Sequence, residues 1–490
     1  MARLNTAAQG IKTHNGAPAK HINAEQMLRR SILSCLLWEN EFYEDGVKIV
    51  DRINALVPLV EPTAVADLAI LARNEMNLRH APLLLASAMV KHNSHRKYVR
   101  EVVGKIVNRP DELGELLSLY FNATTKNQPI ANSLKKGLAD AFCKFNEYQL
   151  AKYNRDAAIK LRDVLFLTHA KPKNDEQAVL WKKLIGGFCK NCGESHYNKD
   201  TRKVEATTET CSNYEEMVLA TPDTWEVALS SGGNKYEHWS RLLSEGKLGA
   251  LALLKNLRNM QEAGVTKDQI AMAFAKTNLS KVLPYRYIAA AKYAPALEDV
   301  LEAAMFKSLT AEQKMEGHTV LLIDVSGSMD WALSSKSDLR RLDAACGLAM
   351  LLREICEKVD IYTFSNNLVQ VAPRRGFALR DAIVNSQSHQ STYLGSSVKA
   401  IYSKQTIELN KNRYGGSTSH KFPGQGLSPN RLIVITDEQS DDPVSNPSGV
   451  GYMINVASAK NGVGYGGWTH VDGFSESVVR WIQELENDKK

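Results

Sequence analysis

Residues 318–325 have the sequence HTVLLIDV, a nearly continuous run of apolar side chains. A strand buried on both faces of a parallel sheet has this composition, because helices cover the two faces. The segments VDIYTF (359–364) and RLIVITD (431–437) have the same character. A long helix is predicted over 339–358 and a closing helix over 474–485. Strands that alternate with helices predict a doubly wound α/β domain in the C-terminal part of the chain.

Two stretches of this domain are rich in Gly, Ser and Pro, namely 414–430 and 441–468. They predict long loops at or near the ends of strands. In a doubly wound sheet, ligands bind outside the carboxyl ends of the strands. We therefore expect a ligand site at that edge of the sheet.

The part of the chain from about 24 to 310 carries one helix signal after another and few strand signals. Thr266 and Gln269 have the spacing of a capping box, with Val265 and Ile270 placed as a hydrophobic staple. The segment 248–260 carries apolar residues at helical spacing and predicts a core helix. Many helices with short connections predict a HEAT-like array of helical pairs, although no fixed-period repeat is visible.

Length and composition bound the class of protein. The chain has 490 residues, of which 44% are hydrophobic and 23% charged, as in globular proteins. No uncharged apolar run is long enough to span a membrane. The stretch 1–23 lacks the apolar core of a secretory signal and is predicted to be flexible. Seven cysteines, an odd number, favour reduced thiols and a cytoplasmic location.

The expected domains are a flexible stretch over 1–23, a helical domain over 24–312 and the α/β domain over 313–490.

The net charge of +7 is concentrated in one stretch. Residues 126–203 contain 16 lysines and arginines against 8 acidic residues, which gives +8. A clustered excess of this kind indicates a surface that binds a polyanion. A solvated lysine-rich helix face is the alternative that charge alone leaves open.

A candidate metal site follows the first predicted strand. In the sequence DVSGS (324–328), a spacing of two places the oxygens of Asp324, Ser326 and Ser328 on one side of a turn. Carboxylate and hydroxyl oxygens are hard ligands that suit Mg²⁺. Asp437 ends another predicted strand, and Thr392 is the candidate loop hydroxyl. A serine-rich turn without a metal is the alternative.

This arrangement resembles the metal-ion-dependent adhesion site of von Willebrand factor A domains. That motif is Asp-x-Ser-x-Ser with a Thr and an Asp from later loops, and the family usually has Gly where this chain has Ser391. The resemblance implies a binding or structural metal, whose shell an acidic group of a partner commonly completes. No general base is evident, so a catalytic metal is not expected.

Five segments of the helical part, in the same order along the chain, resemble motifs of the TROVE domain. They are 42–46 (FYEDG), 161–172 (LRDVLFLTHAKP), 221–226 (TPDTWE), 248–260 (LGALALLKNLRNM) and 283–287 (LPYRY). Together with the α/β domain, the chain resembles the Ro autoantigen family in its bacterial or phage form, over roughly 24–485.

The resemblance implies a closed, monomeric ring of helical pairs joined by the von Willebrand factor A-like domain. Single-stranded 3′ ends of misfolded small RNAs enter the ring, and structured Y RNA binds its outer surface. Bacterial members are associated with an exoribonuclease, polynucleotide phosphorylase. Phe166 replaces a basic residue of eukaryotic members, so this position is expected either to lack a phosphate contact or to lie in the core. The candidates for RNA contact are Arg155, Lys160, Arg162, His169, Lys171, Lys173, Arg258 and Arg286.

The leading hypothesis is therefore a non-catalytic RNA-binding protein. A protein-interaction scaffold, whose metal site recruits an acidic ligand, is the alternative. A metal-dependent nuclease is weaker, because the sequence lacks the clustered carboxylates of two-metal phosphodiester chemistry. Cys189 and Cys192, with His196 and Cys211 downstream, lack the second pair of a usual zinc site, and 187–216 looks like an insertion in the family pattern.

Overall fold

The computed structural model describes most of the chain. The described residues are 11–19, 22–33, 46–122, 129–186, 188–189, 197–198, 203–204, 214–215, 217–279, 282, 284–309, 314–335, 337–413, 416–457, 459, 461–473 and 477–487. The chain forms two compact units. The first comprises Met1–Ile53 and Lys235–Lys490, and the second comprises Asn54–Asn234.

Helices dominate the chain before residue 310. The first two are α1 (Ala24–Leu33) and α2 (Gly46–Leu56), the second of which crosses the boundary at residue 53. The second unit continues with α3 (Pro62–Asn74), α4 (His80–Val90), α5 (Asn93–Ile106), α6 (Asp111–Asn122), α7 (Asn132–Phe142), α8 (Glu147–Tyr153), α9 (Leu161–Thr168), α10 (Asp175–Ile185), the short strands β1 (Phe188–Cys189), β2 (Tyr197–Asn198), β3 (Lys203–Val204) and β4 (Tyr214–Glu215), and α11 (Trp225–Ser230).

The core of the second unit is made by neighbouring helices of this array. Helix α5 packs against α3, α4 and α7, while α9 packs against α6 and α7. Helix α4 is apolar all round, and its residues from Ala81 to Val90 are all buried. A helix that is hydrophobic on every face belongs in the centre of a helical core. Strand β1 pairs with β4, and β2 with β3, all antiparallel.

The helical part of the first unit continues with α12 (Lys235–Ser244), α13 (Ala250–Lys255), α14 (Leu257–Glu262), α15 (Lys267–Lys276), α16 (Pro284–Tyr293) and α17 (Glu298–Leu309). The predicted capping box is present, because Thr266 Oγ1 accepts from the Gln269 N–H and the Gln269 side chain accepts from the Thr266 N–H. The predicted core helix over 248–260 is broken at Asn256 into α13 and α14. At this break the buried Asn256 side-chain amide donates to Ala252 O.

The α/β part comprises β5 (Met315–Asp324), α18 (Arg341–Ile355), β6 (Cys356–Phe364), β7 (Leu368–Gln370), α19 (Gly376–Val384), α20 (Leu394–Tyr402), the hairpin β8 (Ile407–Arg413) and β9 (Gly416–Phe422), β10 (Arg431–Thr436), β11 (Val450–Asn455), β12 (Thr469–Asp472) and α21 (Ser477–Asn487). One six-stranded sheet has the order β12-β11-β10-β5-β6-β7. All neighbours are parallel except β6 and β7. These elements confirm the predicted fold class, a helical N-terminal part followed by a doubly wound α/β domain.

The sheet order reverses between β5 and β10, since the chain runs outward from β5 to β7 on one side and from β10 to β12 on the other. The two strands pair in register, with Ile323 opposite Ile435. The carboxyl end of this strand pair is therefore the topological switch point, where doubly wound sheets bind ligands.

Three sequence predictions differ from the structure. The stretches expected as long loops contain β9, which pairs with β8 in a hairpin, and the buried strand β11, which pairs with β10. Residues 11–19, expected to be flexible, form a turn with long-range hydrogen bonds to the α/β part. The compact units do not divide at 312/313, because α16 and α17 pack against α18 and α19.

Candidate functional site

The two predicted metal-site carboxylates meet at the switch point of the sheet. Asp324 ends β5, and Asp437 directly follows β10. Asp324 Oδ1 accepts from the Ser326 N–H at 2.9 Å, and its Oδ2 accepts from the Thr436 hydroxyl at 2.6 Å. The backbone turn after β5 and the neighbouring strand thus fix the orientation of this carboxylate.

The hydroxyls of the motif lie beside these carboxylates. Ser326 Oγ and Ser328 Oγ are 3.2 Å apart. The Gly327 N–H donates to Gln390 O at 2.9 Å, which ties the turn after β5 to the loop that carries Thr392. Asp324, Asp437 and Thr392 are each no more than 1% exposed. Three separate loops therefore deliver the predicted oxygens to one place.

The charges at the carboxyl end of β5 and β10 favour binding of a cation. Burial, and then the neighbouring charge of Asp437, raise the pKa of Asp324 to about 7. The buried Arg341 pairs with Asp437, with NH1 4.0 Å from Oδ2. Two buried carboxyls that repel one another are stabilised by a divalent ion between them.

The donor set fits a hard divalent ion. Within the described part of the chain, no group of three His, Cys, Asp or Glu is arranged to hold a metal, so hydroxyl oxygens have to complete the set. Oxygen donors with few carboxylates are what Mg²⁺ accepts, because it retains several waters. The residues that would hold it are Asp324, Ser326, Ser328, Thr392 and Asp437.

A buried ionic cluster, which sequence patterns did not reveal, lies next to the metal loop. Glu438 is fully buried, with Oε2 at 2.9 Å from Arg30 NH1 and Oε1 at 2.5 Å from His470 Nε2. His470 Nδ1 is 3.4 Å from Asp472 Oδ2. Burial raises the pKa of Glu438, but His470 and Arg30 outweigh that effect and lower it to about 2. The cluster links α1 to the loop that carries Asp437.

The basic residues predicted around α9 are mostly at the surface of the second unit. Lys160 Nζ pairs with Asp156 Oδ1 at 2.5 Å, and Arg155 lies with its guanidinium carbon 5.8 Å from the centre of the Tyr153 ring. Arg162 is less accessible than the other residues of this group, since 17% of its side chain is exposed. The residues of this group that are exposed are Arg155, His169, Lys171 and Lys173.

Phe166 is not in the core. It is 46% exposed and the neighbouring Leu167 is 41% exposed, because they lie on the solvent face of α9. His169 ends this helix in the left-handed conformation, with φ of 51°. We define the basic edge as Arg155, Phe166, His169, Lys171 and Lys173. Exposed rings beside cations are the side chains that nucleic-acid surfaces use for stacking and phosphate contact.

The two remaining predicted RNA residues meet at a cavity of the first unit. Arg258 on α14 and Arg286 on α16 line a cavity of about 300 Å³, together with Lys255 and the half-exposed Tyr293. Its apolar wall is made of leucines and alanines, namely Leu251, Leu254, Leu257, Ala289 and Ala290. Lys255 and Tyr293 were not predicted, because their roles depend on the break at Asn256 and on the packing of α16.

Several other residues that the sequence analysis named lie in the core or outside the described part of the chain. Tyr285 and Tyr287 of the motif 283–287 are 6% and 0% exposed, so both rings pack in the core. Cys192, His196 and Cys211 lie outside the described residues, as do residues 42–45 of the first motif and Leu283. No helix in the described part of the chain is both long and apolar enough to cross a membrane.

Comparisons with known proteins agree with this architecture. The TROVE domain family model matches residues 26–218 and 212–318. Telomerase protein component 1 of Rattus norvegicus is 26% identical over 321 residues, and that of Mus musculus is 24% identical over 326 residues. The matches cover 53% and 54% of this chain, but only 12% of either relative. The crystal structure of the Deinococcus radiodurans RO (RSR) protein has a TM-score of 0.58 at 14% identity, over 96% of this chain and 100% of that one.

Proposed function

Because the chain belongs to the TROVE-domain family of Ro-type proteins, we propose that it is a non-catalytic RNA-binding protein that holds noncoding RNA. The observation that carries the proposal is the cavity between α13, α14 and α16. A volume of about 300 Å³ accommodates a nucleotide-sized group. Its apolar wall and Tyr293 suit an unstacked base, while Arg258, Arg286 and Lys255 suit the phosphates beside it.

The basic edge on α9 supports the same function at a second surface. Its exposed cations lie within the stretch whose charge is +8, and exposed Phe166 adds a ring. Phosphate contacts of this kind bind structured RNA with little sequence preference. We assign Y RNA-like structured RNA to the basic edge and the single-stranded 3′ ends of misfolded small RNA to the cavity.

The biological role proposed is RNA quality control or processing in the cytoplasm. In this role the protein presents the bound RNA to an exoribonuclease such as polynucleotide phosphorylase. The family resemblance supports this assignment. Copurification of such a nuclease with the tagged protein, abolished by ribonuclease treatment, is the expected result.

The cavity can be tested with a labelled single-stranded RNA of ten nucleotides, by fluorescence anisotropy at several salt concentrations. The double variant Arg258→Ala/Arg286→Ala is expected to weaken binding at least tenfold. Removal of two phosphate contacts should also reduce the slope of log K against log salt by about 1.4. The matched control is Lys399→Gln, which removes an exposed cation on α20. Unchanged affinity and slope in the double variant would remove the cavity from the proposal.

A protein-interaction scaffold is the second candidate, favoured by the convergence of the five metal-site oxygens. In it, Mg²⁺ bound by Asp324 and its neighbours would supply a coordination position for an acidic group of a protein partner. Asp324→Asn should then abolish binding of a hexaglutamate peptide in Mg²⁺ while leaving RNA affinity unchanged. The RNA-binding proposal requires that the wild type and Asp324→Asn both bind RNA. If the wild type binds the peptide but no RNA, the scaffold function alone is supported.

A further inference from the structure

The α4–α5 turn, by which we mean residues 90–96, belongs to a basic run without acidic residues. The segment 91–100 (KHNSHRKYVR) contains four lysines and arginines but no aspartate or glutamate. Within the described part of the chain, neither Lys91 nor Arg96 pairs with a carboxylate. The charge of these two side chains is therefore left for a partner outside the chain.

The basic groups of the α4–α5 turn are held close together. The Arg96 side chain bends back over the turn, since its Nε donates to Val90 O at 2.6 Å. Burial, and then His95, Lys91 and Arg96, lower the pKa of His92, so these three neighbours lie within electrostatic range of it. Burial also lowers the pKa of Lys91. An anion at the turn would meet several positive groups where water is partly excluded, which strengthens each interaction.

The start of α5 adds backbone donors to the same place. Helix α5 begins at Asn93, and no side chain caps it. The first N–H groups of an α-helix lack intrahelical acceptors and carry the positive end of the helix dipole. Asn93 and Ser94, which provide these groups, are both exposed. Such a helix start can donate to the oxygens of a phosphate.

His95 gives an independent sign that the α4–α5 turn lacks an acceptor. This residue is 1% exposed, and its Nε2 has no hydrogen-bond partner among the described residues. Its ring packs edge-on against His92 with 5.8 Å between ring centres, and its Nδ1 lies 3.0 Å from Ser94 Oγ. Because Cα–Cβ bonds tilt toward the N-terminus of a helix, the ring leans toward the start of α5. A buried polar atom without a partner is unfavourable, so an acceptor brought to the turn would be stabilising.

The α4–α5 turn and the basic edge lie at opposite ends of the same helices. Lys144, which follows α7, donates through Nζ to Gly104 O and Val107 O at 2.5 and 2.6 Å, so α5 and α7 end on the same side. The Cys143 thiol donates to the carbonyl of Lys171, a residue of the basic edge, at 3.6 Å. Since α5 has 14 residues, the α4–α5 turn lies about 20 Å from that side. A ligand that contacts both surfaces must be longer than one nucleotide.

We propose that the α4–α5 turn binds a backbone phosphate of a structured RNA whose other phosphates contact the basic edge. This inference rests on the proposed RNA-binding function. Lys91 and Arg96 supply the charge, and the N–H groups of Asn93 and Ser94 supply hydrogen bonds. An RNA too short to span about 20 Å makes only one of the two sets of contacts. The turn therefore favours structured RNA over short single-stranded fragments.

The double variant Lys91→Gln/Arg96→Gln tests the charge of the turn by fluorescence anisotropy on the full chain. Affinity for a structured hairpin RNA should fall about tenfold, and the slope of log K against log salt should decrease by nearly 2. The ten-nucleotide single-stranded RNA assigned to the cavity should bind as it does to the wild type. The matched control is Lys358→Gln/Lys399→Gln, which removes two exposed cations of the α/β part.

Asn93→Glu separates phosphate binding from a structural role of the turn. A carboxylate in the first turn of α5 is favoured by the helix dipole, so Tm should not fall. Affinity for the hairpin RNA should fall about tenfold, because the carboxylate repels the phosphate. The same substitution at the residue that follows α19, Asn385→Glu, should leave the affinity unchanged.

The inference and the RNA-binding function can fail separately. If both variants of the α4–α5 turn bind the hairpin with wild-type affinity and slope while Lys171→Gln/Lys173→Gln binds it more weakly, the inference is wrong and the function stands. An equal loss of affinity for the ten-nucleotide RNA would also overturn the inference. If the wild type binds neither RNA, both are wrong.

Discussion

Glu438 is a residue whose backbone and charge are both constrained. Its φ of 60° places a non-glycine residue in the left-handed region, directly after the metal-site residue Asp437. Gly462 makes room for the carboxylate, because a Cβ there would overlap Glu438 Oε2. Arg30 and His470 neutralise it in the buried cluster. Both ion pairs are needed, because a buried carboxylate without a partner is strongly destabilising.

Because of His470, the free energy of unfolding should decrease at alkaline pH. Burial lowers its pKa, but Asp472 and Glu438 outweigh burial and raise it to about 9, from an ordinary value of 6.5. Its contribution, up to about 3 kcal/mol, is present below pH 6.5 and is lost as the pH rises through 9. Thermal unfolding of His470→Gln should therefore differ from wild type at pH 6 and approach it at pH 10. The assignment would be contradicted if the difference in thermal unfolding between His470→Gln and wild type were the same at pH 6 and pH 10. The control is His238→Gln on α12, which should not show this pH dependence.

Asp324 should couple metal binding to protons. With a pKa of about 7, its carboxyl is largely protonated at pH 6 and ionised at pH 8. Because the ionised form binds the cation, apparent Mn²⁺ affinity should increase about tenfold from pH 6 to pH 8. Calorimetry in two buffers of different protonation enthalpy should report protons released near neutral pH. Equal affinity at both pH values, with no proton release, would contradict the coupling between protonation of Asp324 and metal binding.

At the level of elements, α9 concentrates the features of a nucleic-acid surface on one short helix and its C-terminal turn. Lys171 and Lys173 follow the left-handed cap at His169, and both side chains are exposed. The Lys173 N–H is bonded to Gln177 Oε1, so the segment is held at the start of α10. The cations are thus presented on an ordered backbone.

Replacing both lysines should weaken RNA binding uniformly across sequences. For Lys171→Gln/Lys173→Gln, we expect affinity for a structured hairpin RNA to fall about tenfold at moderate salt. The slope of log K against log salt should decrease by nearly 2, because each substitution removes one cation that neutralises a phosphate of duplex RNA. An electrophoretic mobility titration at four salt concentrations measures both. Weaker binding with an unchanged slope would mean that the lysines act on the fold and not on phosphates.

Local sequence patterns predicted many of the helices and strands. The elements that were not predicted depend on tertiary contacts. The buried runs that became β5 and β10 were visible in the sequence, as were the capping box at Thr266 and the Asp-x-Ser-x-Ser turn. Strand β11 was missed, since it lies in a Gly-rich stretch and its ladder with β10 is a tertiary contact that its own sequence does not show. The cavity was only partly visible, because the sequence did not predict the break at Asn256 or the 47% exposure of Leu251.

For the whole molecule, the distribution of charge is the feature that connects sequence and function. The excess of +8 over 126–203 falls in the second unit, and the cavity with its two arginines falls in the first. The α/β part contributes the metal-site oxygens. Each compact unit thus carries its own candidate surface for RNA, which explains why two RNA features, structured and single-stranded, are assigned to one chain.

The central claim is that the helical part holds RNA at the basic edge and the cavity. Ultraviolet crosslinking of the protein to the RNA that copurifies with it, with crosslinked peptides identified by mass spectrometry, tests this most directly. The account predicts crosslinks in peptides that contain Phe166 and Tyr293. Crosslinks confined to the α/β part, or a protein that purifies without RNA and crosslinks to none when it is added, would contradict it.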